Sequence, residues 1–482
     1  MTNPMNDQDV TAASDLPDQI WRWDAVDVAA HIRRGTISSH EALQSCYART
    51  DALNPRLNAI VHADRERALL AANTADSLVY RGETLGPLHG VPVTIKLNVD
   101  VQGEATTNGV PAFAERIAPG DSTVVSNLLK AGAINVGRTN TPPFSFRWFT
   151  ENPLHGRTLN PWDETVTSGG SSGGAGVSVA AGMCSLAHGT DIAGSIRYPA
   201  YVNGLAGLRT TPGRIPAFHP TTGLRFLGLQ TMSAQGPLAR RMRDLRLGLV
   251  AMSGADRRDP LWVPAQMDYP DDSAPVRVAL VDEIPGSSLA PEIKIALNDA
   301  AQILEAAGYM VERATPPGMA EGVEIWQSIV MTEARMGMFA GVKAMGDDVI
   351  LRSVENMLAG APAIDLEGYA LAIARRDQLR RQWNEFMSRY PLILLPTSCR
   401  LPMRWGADLG STDDMKSVLA DQSPLITVAA LCLPGLNVPT GVVDGLPIGV
   451  QLVADSYREQ RLLAAGSVIE RAVDMPNLHD RF

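Results

Sequence analysis

The chain has 482 residues, 42 basic and 52 acidic, for a formal charge of −10. An acidic balance gains little from counterion release, so a nucleic-acid partner is not expected, and the charge reads as solubility. The 45% apolar and 20% charged content is that of a globular protein with a large core.

Residues 1–19 hold four Asp and no Lys or Arg, unlike a secretory signal. The expectation is a flexible tail over residues 1–20. No run of about 18 apolar residues occurs, so no membrane span is expected. Cys46, Cys184, Cys399 and Cys432 are far apart and form no C-x-x-C pair. Reduced thiols in a cytoplasmic protein follow, with no metal and no cofactor called for.

Residues 23–80 read as helical. Ser38 and Glu41 form a capping box before Ala42, Leu43, Cys46 and Leu53. Over residues 90–101 the period changes to two. Val91, Val93, Ile95, Leu97, Val99 and Val101 alternate with Pro92, Thr94, Lys96, Asn98 and Asp100. This predicts a strand with one buried face, and Lys96 on the other. A lysine there is ordinarily solvated. Residues 122–130 predict a helix ending near Gly132, and 134–136 a short strand.

Residues 168–176 read SGGSSGGAG. Such a stretch can be a flexible linker. Here an apolar run, 177–181, follows directly and suits a buried helix instead. No Gly-Lys-Ser/Thr follows, which excludes a Walker-type phosphate loop. Residues 189–199 read GTDIAGSIRYP. Small residues surround Ser195, so several amides can converge beside its hydroxyl, as an oxyanion hole requires. Asp191 and Arg197 flank this turn and can pair to hold it. A serine nucleophile needs a base. The eight histidines offer no triad context, since His89, His155 and His188 sit beside glycines. Lys96 is the candidate instead.

Further along, residues 270–275 are Pro/Asp/Ser-rich and predict a surface loop. A strand at 276–282, a helix at 291–307, a long charged helix at 366–387 and a buried strand at 392–395 follow. No repeat of 20–50 residues is present. The pattern is α/β: a large mixed, mostly parallel sheet covered by helices. One catalytic domain over residues 21–482 is preferred to a split near residue 270.

Taken together, three segments resemble the amidase signature family: GGSSGG at 169–174, GTDIAGSIRYPA at 189–200 and LHGVPVTIK at 88–96. Ser171 and Ser195 are 24 residues apart, and Lys96 precedes Ser195 by 99, in the family's register. Further phrases at 129–140, 156–162 and 445–452 extend the likeness from about residue 25 to 470. Ala193 stands where the family commonly has Gly. Ser168 replaces a frequent Pro, Arg209 and Thr210 replace Lys-Pro, and the Glu often found after Asn140 is missing.

The resemblance implies a hydrolase of carboxylic amide bonds. Lys96, Ser171 and Ser195 would be its catalytic set, with a cis Gly170–Ser171 peptide. Free lysine titrates near 10.4, so a base at pH 7 needs a downward shift of roughly three units. Amides of Ile192, Ala193, Gly194 and Ser195 would hold the oxyanion. Phe144, Phe146, Trp148 and Phe149 form either an apolar substrate pocket or core packing. A pocket would suit small apolar or aryl amides, with ester or carbamate hydrolysis by the same acyl chemistry. The partner is then a small-molecule amide, and a homodimer is left open. The alternatives are a glutamine-amidase subunit of an amidotransferase complex and a non-catalytic binding member.

Overall fold

A computed structural model describes residues 19–221, 223–269, 275–476 and 478. The expected tail at 1–20 and the loop at 270–275 lie almost wholly outside the described residues. Three helices open the fold: α1 (Ala25–Arg33), α2 (Ser39–Leu57) and α3 (Arg65–Tyr80). The predicted box caps α2. The Ser38 hydroxyl accepts from the Glu41 amide at 3.0 Å, and the Glu41 carboxylate accepts from the Ser38 amide at 2.7 Å.

The strands are β1 (Ile60–His62), β2 (Pro92–Lys96), β3 (Ile134–Thr139), the pair β4 (Glu151–Asn152) and β5 (Gly156–Arg157), β6 (Leu186–Asp191), β7 (Ala206–Arg209), β8 (Ala234–Ala239), β9 (Arg277–Leu280), β10 (Met310–Arg313), β11 (Leu392–Pro396), β12 (Gly435–Val443) and β13 (Leu446–Ala454). All but β4 and β5 join one sheet of eleven strands, ordered β1-β3-β2-β6-β8-β7-β12-β13-β11-β9-β10. Strands from before and after residue 270 share it.

The sheet is mixed, as expected, but it is not mostly parallel. Parallel pairing is confined to β3-β2-β6 on one flank and β11-β9-β10 on the other. From β6 through β13 to β11 every pairing is antiparallel. One cause is local. Asp444 and Gly445, both at positive φ, form a two-residue hairpin turn between β12 and β13.

Strand β2 ends at Lys96, not at residue 101, because the chain turns there and the Val99 amide donates back to the Lys96 carbonyl. Its predicted open face is also covered. β2 lies inside the sheet between β3 and β6, and all five of its residues are buried. Helix α4 (Thr123–Lys130) follows, and helix α5 (Gly173–Ala180) packs on the even face of β2, where Thr94 Oγ1 meets Ser178 Oγ at 3.1 Å. Interior parallel strands are normally covered on both sides.

The Gly/Ser stretch is no linker. Residues 168–176 are all buried and lead into α5. A Cβ at Gly174 would stand 2.4 Å from the Asn140 amide nitrogen, so only glycine allows α5 this close to the end of β3. The remaining helices used below are α6 (Arg197–Asn203), α7 (Leu227–Met232), α8 (Met242–Met252), α9 (Pro291–Ala306) and α10 (Met319–Trp326). Two π-helical stretches, Gln327–Met331 and Ala334–Met338, follow α10. Among the described residues, no helix is long and apolar enough to cross a membrane.

Candidate active site

The end of β2, the loop before α5 and the turn between β6 and α6 meet at one place. Lys96 Nζ lies 2.7 Å from Ser171 Oγ and 2.9 Å from Thr190 Oγ1. Thr190 also accepts from Asn98 Nδ2 at 3.1 Å. Lys96 has no solvent exposure. Burial pushes its ammonium well below the ordinary lysine range, against a smaller opposing pull from the Asp191 carboxylate. The Gly170–Ser171 peptide is cis.

Ser171, Thr190, Ile192 and Ser195 line one cavity of about 570 Å³. Its walls carry Phe113, Phe144, Phe146, Phe226 and Val330, with Asp100, Arg116, His219 and Arg225 among the polar lining. Burial lowers His219 to about 4, and its Nδ1 lies 2.9 Å from Ser122 Oγ. His188 is buried, lowered to about 3 by that burial, and paired with Gln235 at 2.8 Å. At pH 7 both rings are neutral.

The turn before Ser195 is built on one carboxylate. Asp191 accepts from the Gly194 amide at 2.8 Å, the Ile196 amide at 3.2 Å, and Arg197 Nε and Nη2 at 3.0 Å each. Arg209 reaches both the Asp191 carbonyl and its carboxylate. Burial raises the Asp191 carboxyl, but the two guanidinium groups outweigh it and hold it below the usual range. The expected Asp191–Arg197 pair is therefore present. Arg209, noted in the sequence only as a departure, completes the triad of charges.

This geometry narrows the amide set drawn from the sequence. The Gly194 N–H is already given to Asp191. The amides of Ile192, Ala193 and Ser195 have no acceptor among the described residues. Gly194 takes φ +100°, whereas Ala193 keeps a negative φ, so its methyl costs no backbone strain.

The four aromatic candidates separate. Phe144 and Phe146 line the large cavity. Trp148 borders a small hollow beside Ile192, Ala193 and Ser195, and its Nε1 donates to the Ala193 carbonyl at 2.9 Å. Phe149 is a correction. It is fully buried and packs edge-on against Trp405 at 5.7 Å, borders neither cavity, and belongs to the core. Neighbours in sequence cannot all face one way in an irregular segment.

Two further residues had no local signal. Trp326, at the end of α10, donates from Nε1 to the Ile192 carbonyl at 3.0 Å. Glu333, between the π-helical stretches, accepts from the Gly228 and Leu229 amides at 2.5 and 3.2 Å and from the Tyr369 hydroxyl at 2.7 Å. It pins the start of α7 over the cavity.

The family model described as Amidase matches residues 41–463. An indoleacetamide hydrolase of Bradyrhizobium diazoefficiens is 44% identical over 94% of this chain and 86% of its own length. An acylamidase of Rhodococcus erythropolis is 32% identical over 94% and 96%, and a glutamyl-tRNA(Gln) amidotransferase component of Alkalilimnicola ehrlichii is 31% identical over 93% and 96%. Among solved structures, 6-aminohexanoate cyclic dimer hydrolase with substrate bound is 26% identical, with a TM-score of 0.83 over 95% of this chain and 99% of that one. With a family match across most of its length and the sheet of that fold, the chain belongs to the amidase signature family of hydrolases acting on carbon–nitrogen bonds.

Proposed function

We propose that this protein hydrolyses primary amides of arylacetic acids, releasing ammonia and the acid, through an acyl-enzyme on Ser195. The observation that carries the mechanism is a lysine with no solvent exposure, 2.7 Å from the hydroxyl of Ser171, which lines the same cavity as Ser195. A buried amine without a carboxylate in contact is neutral, and a neutral amine is a base.

In the resting state the Ser171 hydroxyl donates to neutral Lys96, whose own N–H groups serve Thr190. As Ser195 Oγ attacks the amide carbon, its proton passes to Ser171 and the Ser171 proton to Lys96. The carbonyl oxygen becomes an alkoxide facing the free amides of Ile192, Ala193 and Ser195. When it re-forms the carbonyl, the C–N bond breaks, and the relayed proton leaves on the nitrogen as ammonia. Water, deprotonated through the same relay, then adds to the ester. The C–O bond to Ser195 breaks, and Ser195 recovers its proton. Esters and carbamates of the same shape enter at the first step.

The arylacetamide reading rests on the cavity's Phe113, Phe144, Phe146 and Phe226 and on the likeness to an indoleacetamide hydrolase. The amidotransferase relative is less similar, at 31%. One catalytic domain over residues 21–482 is part of this proposal. Its test is purified enzyme against indole-3-acetamide, phenylacetamide, anilides, carbamates and glutamine, with Ser195→Ala alongside. Arylacetamides should turn over best, and Ser195→Ala should be folded and inactive. A fluorophosphonate should label Ser195. Preference for glutamine overturns the substrate, and labelling of another serine overturns the mechanism.

A further inference from the structure

The turn that carries Ser195 has a second side. Each of the four carbonyls before the nucleophile faces a donor. Arg209 Nη1 reaches Asp191 O. Trp326 Nε1 reaches Ile192 O at 3.0 Å, and Trp148 Nε1 reaches Ala193 O at 2.9 Å. The Tyr198 amide reaches Gly194 O at 2.7 Å.

In a trans peptide the carbonyl and the next N–H lie in one plane and point in opposite directions. Holding Asp191 O and Ile192 O therefore aims the amides of Ile192 and Ala193 away from their braces. Holding Gly194 O does the same for Ser195. Holding Ala193 O aims the Gly194 amide, which meets Asp191 at 2.8 Å and locks the centre of the turn.

Two of the four braces are indoles, and they come from unrelated elements. Trp148 follows the short turn Pro143–Ser145, and Trp326 ends α10. Both rings are almost wholly buried, at 4% and 2% exposure. An indole carries one donor on a rigid body, so a packed ring fixes the direction of its N–H.

We propose that Trp148 and Trp326 are positioning residues for the oxyanion amides. Trp326 holds the Ile192–Ala193 peptide, aiming the Ala193 N–H at developing negative charge, and Trp148 holds the Ala193–Gly194 peptide, keeping the Gly194 N–H on Asp191 so that the amides on either side stay in place. Preorganised donors of this kind raise the rate because they need not turn during the reaction. The inference rests on the reading of Ser195 as nucleophile.

The test removes each N–H and keeps the ring: Trp148→Phe, Trp326→Phe, and the isosteric benzothienyl-alanine at either position. Three quantities are read with an arylacetamide substrate: kcat, the affinity of an arylmethyl trifluoromethyl ketone, and the affinity of the product acid. The ketone adds to a serine and places an alkoxide at the oxyanion position. The acid does not. Losing an oxyanion donor outright costs about 10²–10³-fold, and a peptide freed to swing loses part of that, about tenfold. Both kcat and ketone affinity should fall together by that factor, while acid affinity and KM stay within about twofold.

If KM rises and acid affinity falls instead, with kcat unchanged, the indoles are pocket walls and the proposal is overturned. Unchanged kcat and ketone affinity in the benzothienyl variants overturns it equally, and those variants decide if a Phe variant melts early. Failure of the ketone to attach to Ser195 in the unaltered enzyme overturns the reading of the site itself, a separately visible result.

Discussion

Replacing Lys96, the proposed base, should stabilise the protein while destroying its activity. Lys96 is fully enclosed, so Lys96→Met keeps the stem packed and removes only the amine. A lysine that is neutral in the folded chain at pH 7 must give up a proton on folding. From an ordinary value of about 10.4, that costs about 4.6 kcal/mol. The amine returns hydrogen bonds with Ser171 and Thr190, worth about 1 kcal/mol each. Lys96→Met should therefore be more stable by about 2–3 kcal/mol at pH 7. The sign of the pH dependence follows. The unfolded chain binds a proton that the folded chain lacks, so the unaltered protein gains about 1.4 kcal/mol per pH unit on this account up to about 10. The two proteins should be equally stable near pH 9, and the order should reverse above it. Urea unfolding of both at pH 6.5, 7.5, 8.5 and 9.5 measures this directly. A stability difference independent of pH would refute a neutral Lys96 and with it the proposed base.

Asp191→Asn leaves Arg197 and Arg209 buried without their carboxylate, so a loss of about 3–5 kcal/mol and of turnover is expected in thermal melts and assays. In the unaltered protein the Asp191 carboxyl is held below its ordinary value. Its contribution is complete above about pH 4 and is lost as pH falls below that. Phe149→Ala should cost about 3–5 kcal/mol with KM unchanged for the molecules that remain folded, whereas Phe146→Ala should change KM for aryl amides more than stability. Glu333→Ala releases the Gly228 and Leu229 amides, so hydrogen exchange over Leu227–Met232 should quicken by about 5- to 150-fold, from about 1–3 kcal/mol of lost acceptor. Unchanged exchange there would show that α7 is held by other contacts.

The candidate catalytic residues and the capping box are legible because each sits in a short local pattern. What makes Lys96 usable is not. Period two over residues 90–101 describes one strand, and burial of its second face depends on α5, which begins 77 residues later at Gly173. The sheet's antiparallel centre also departs from the expected parallel one, although Asp444-Gly445 is a hairpin signal. The pocket fails at Phe149 because direction in an irregular segment is set by its packing partners. Trp326 and Glu333 stay hidden for a related reason: they act on carbonyls and amides more than a hundred residues away.

Arg197, which opens α6, also donates to Gln451 Oε1 at 2.5 Å and to the Leu425 carbonyl at 3.0 Å. These acceptors lie 254 and 228 residues downstream. The turn that carries Ser195 is thus closed like a clasp by the far end of the chain, and no early portion contains the finished turn. Turnover then reports the joining of β13 to the early strands. A half-folded molecule or an early fragment alone is silent, and adding the complementary fragment should restore the activity only when it supplies β13.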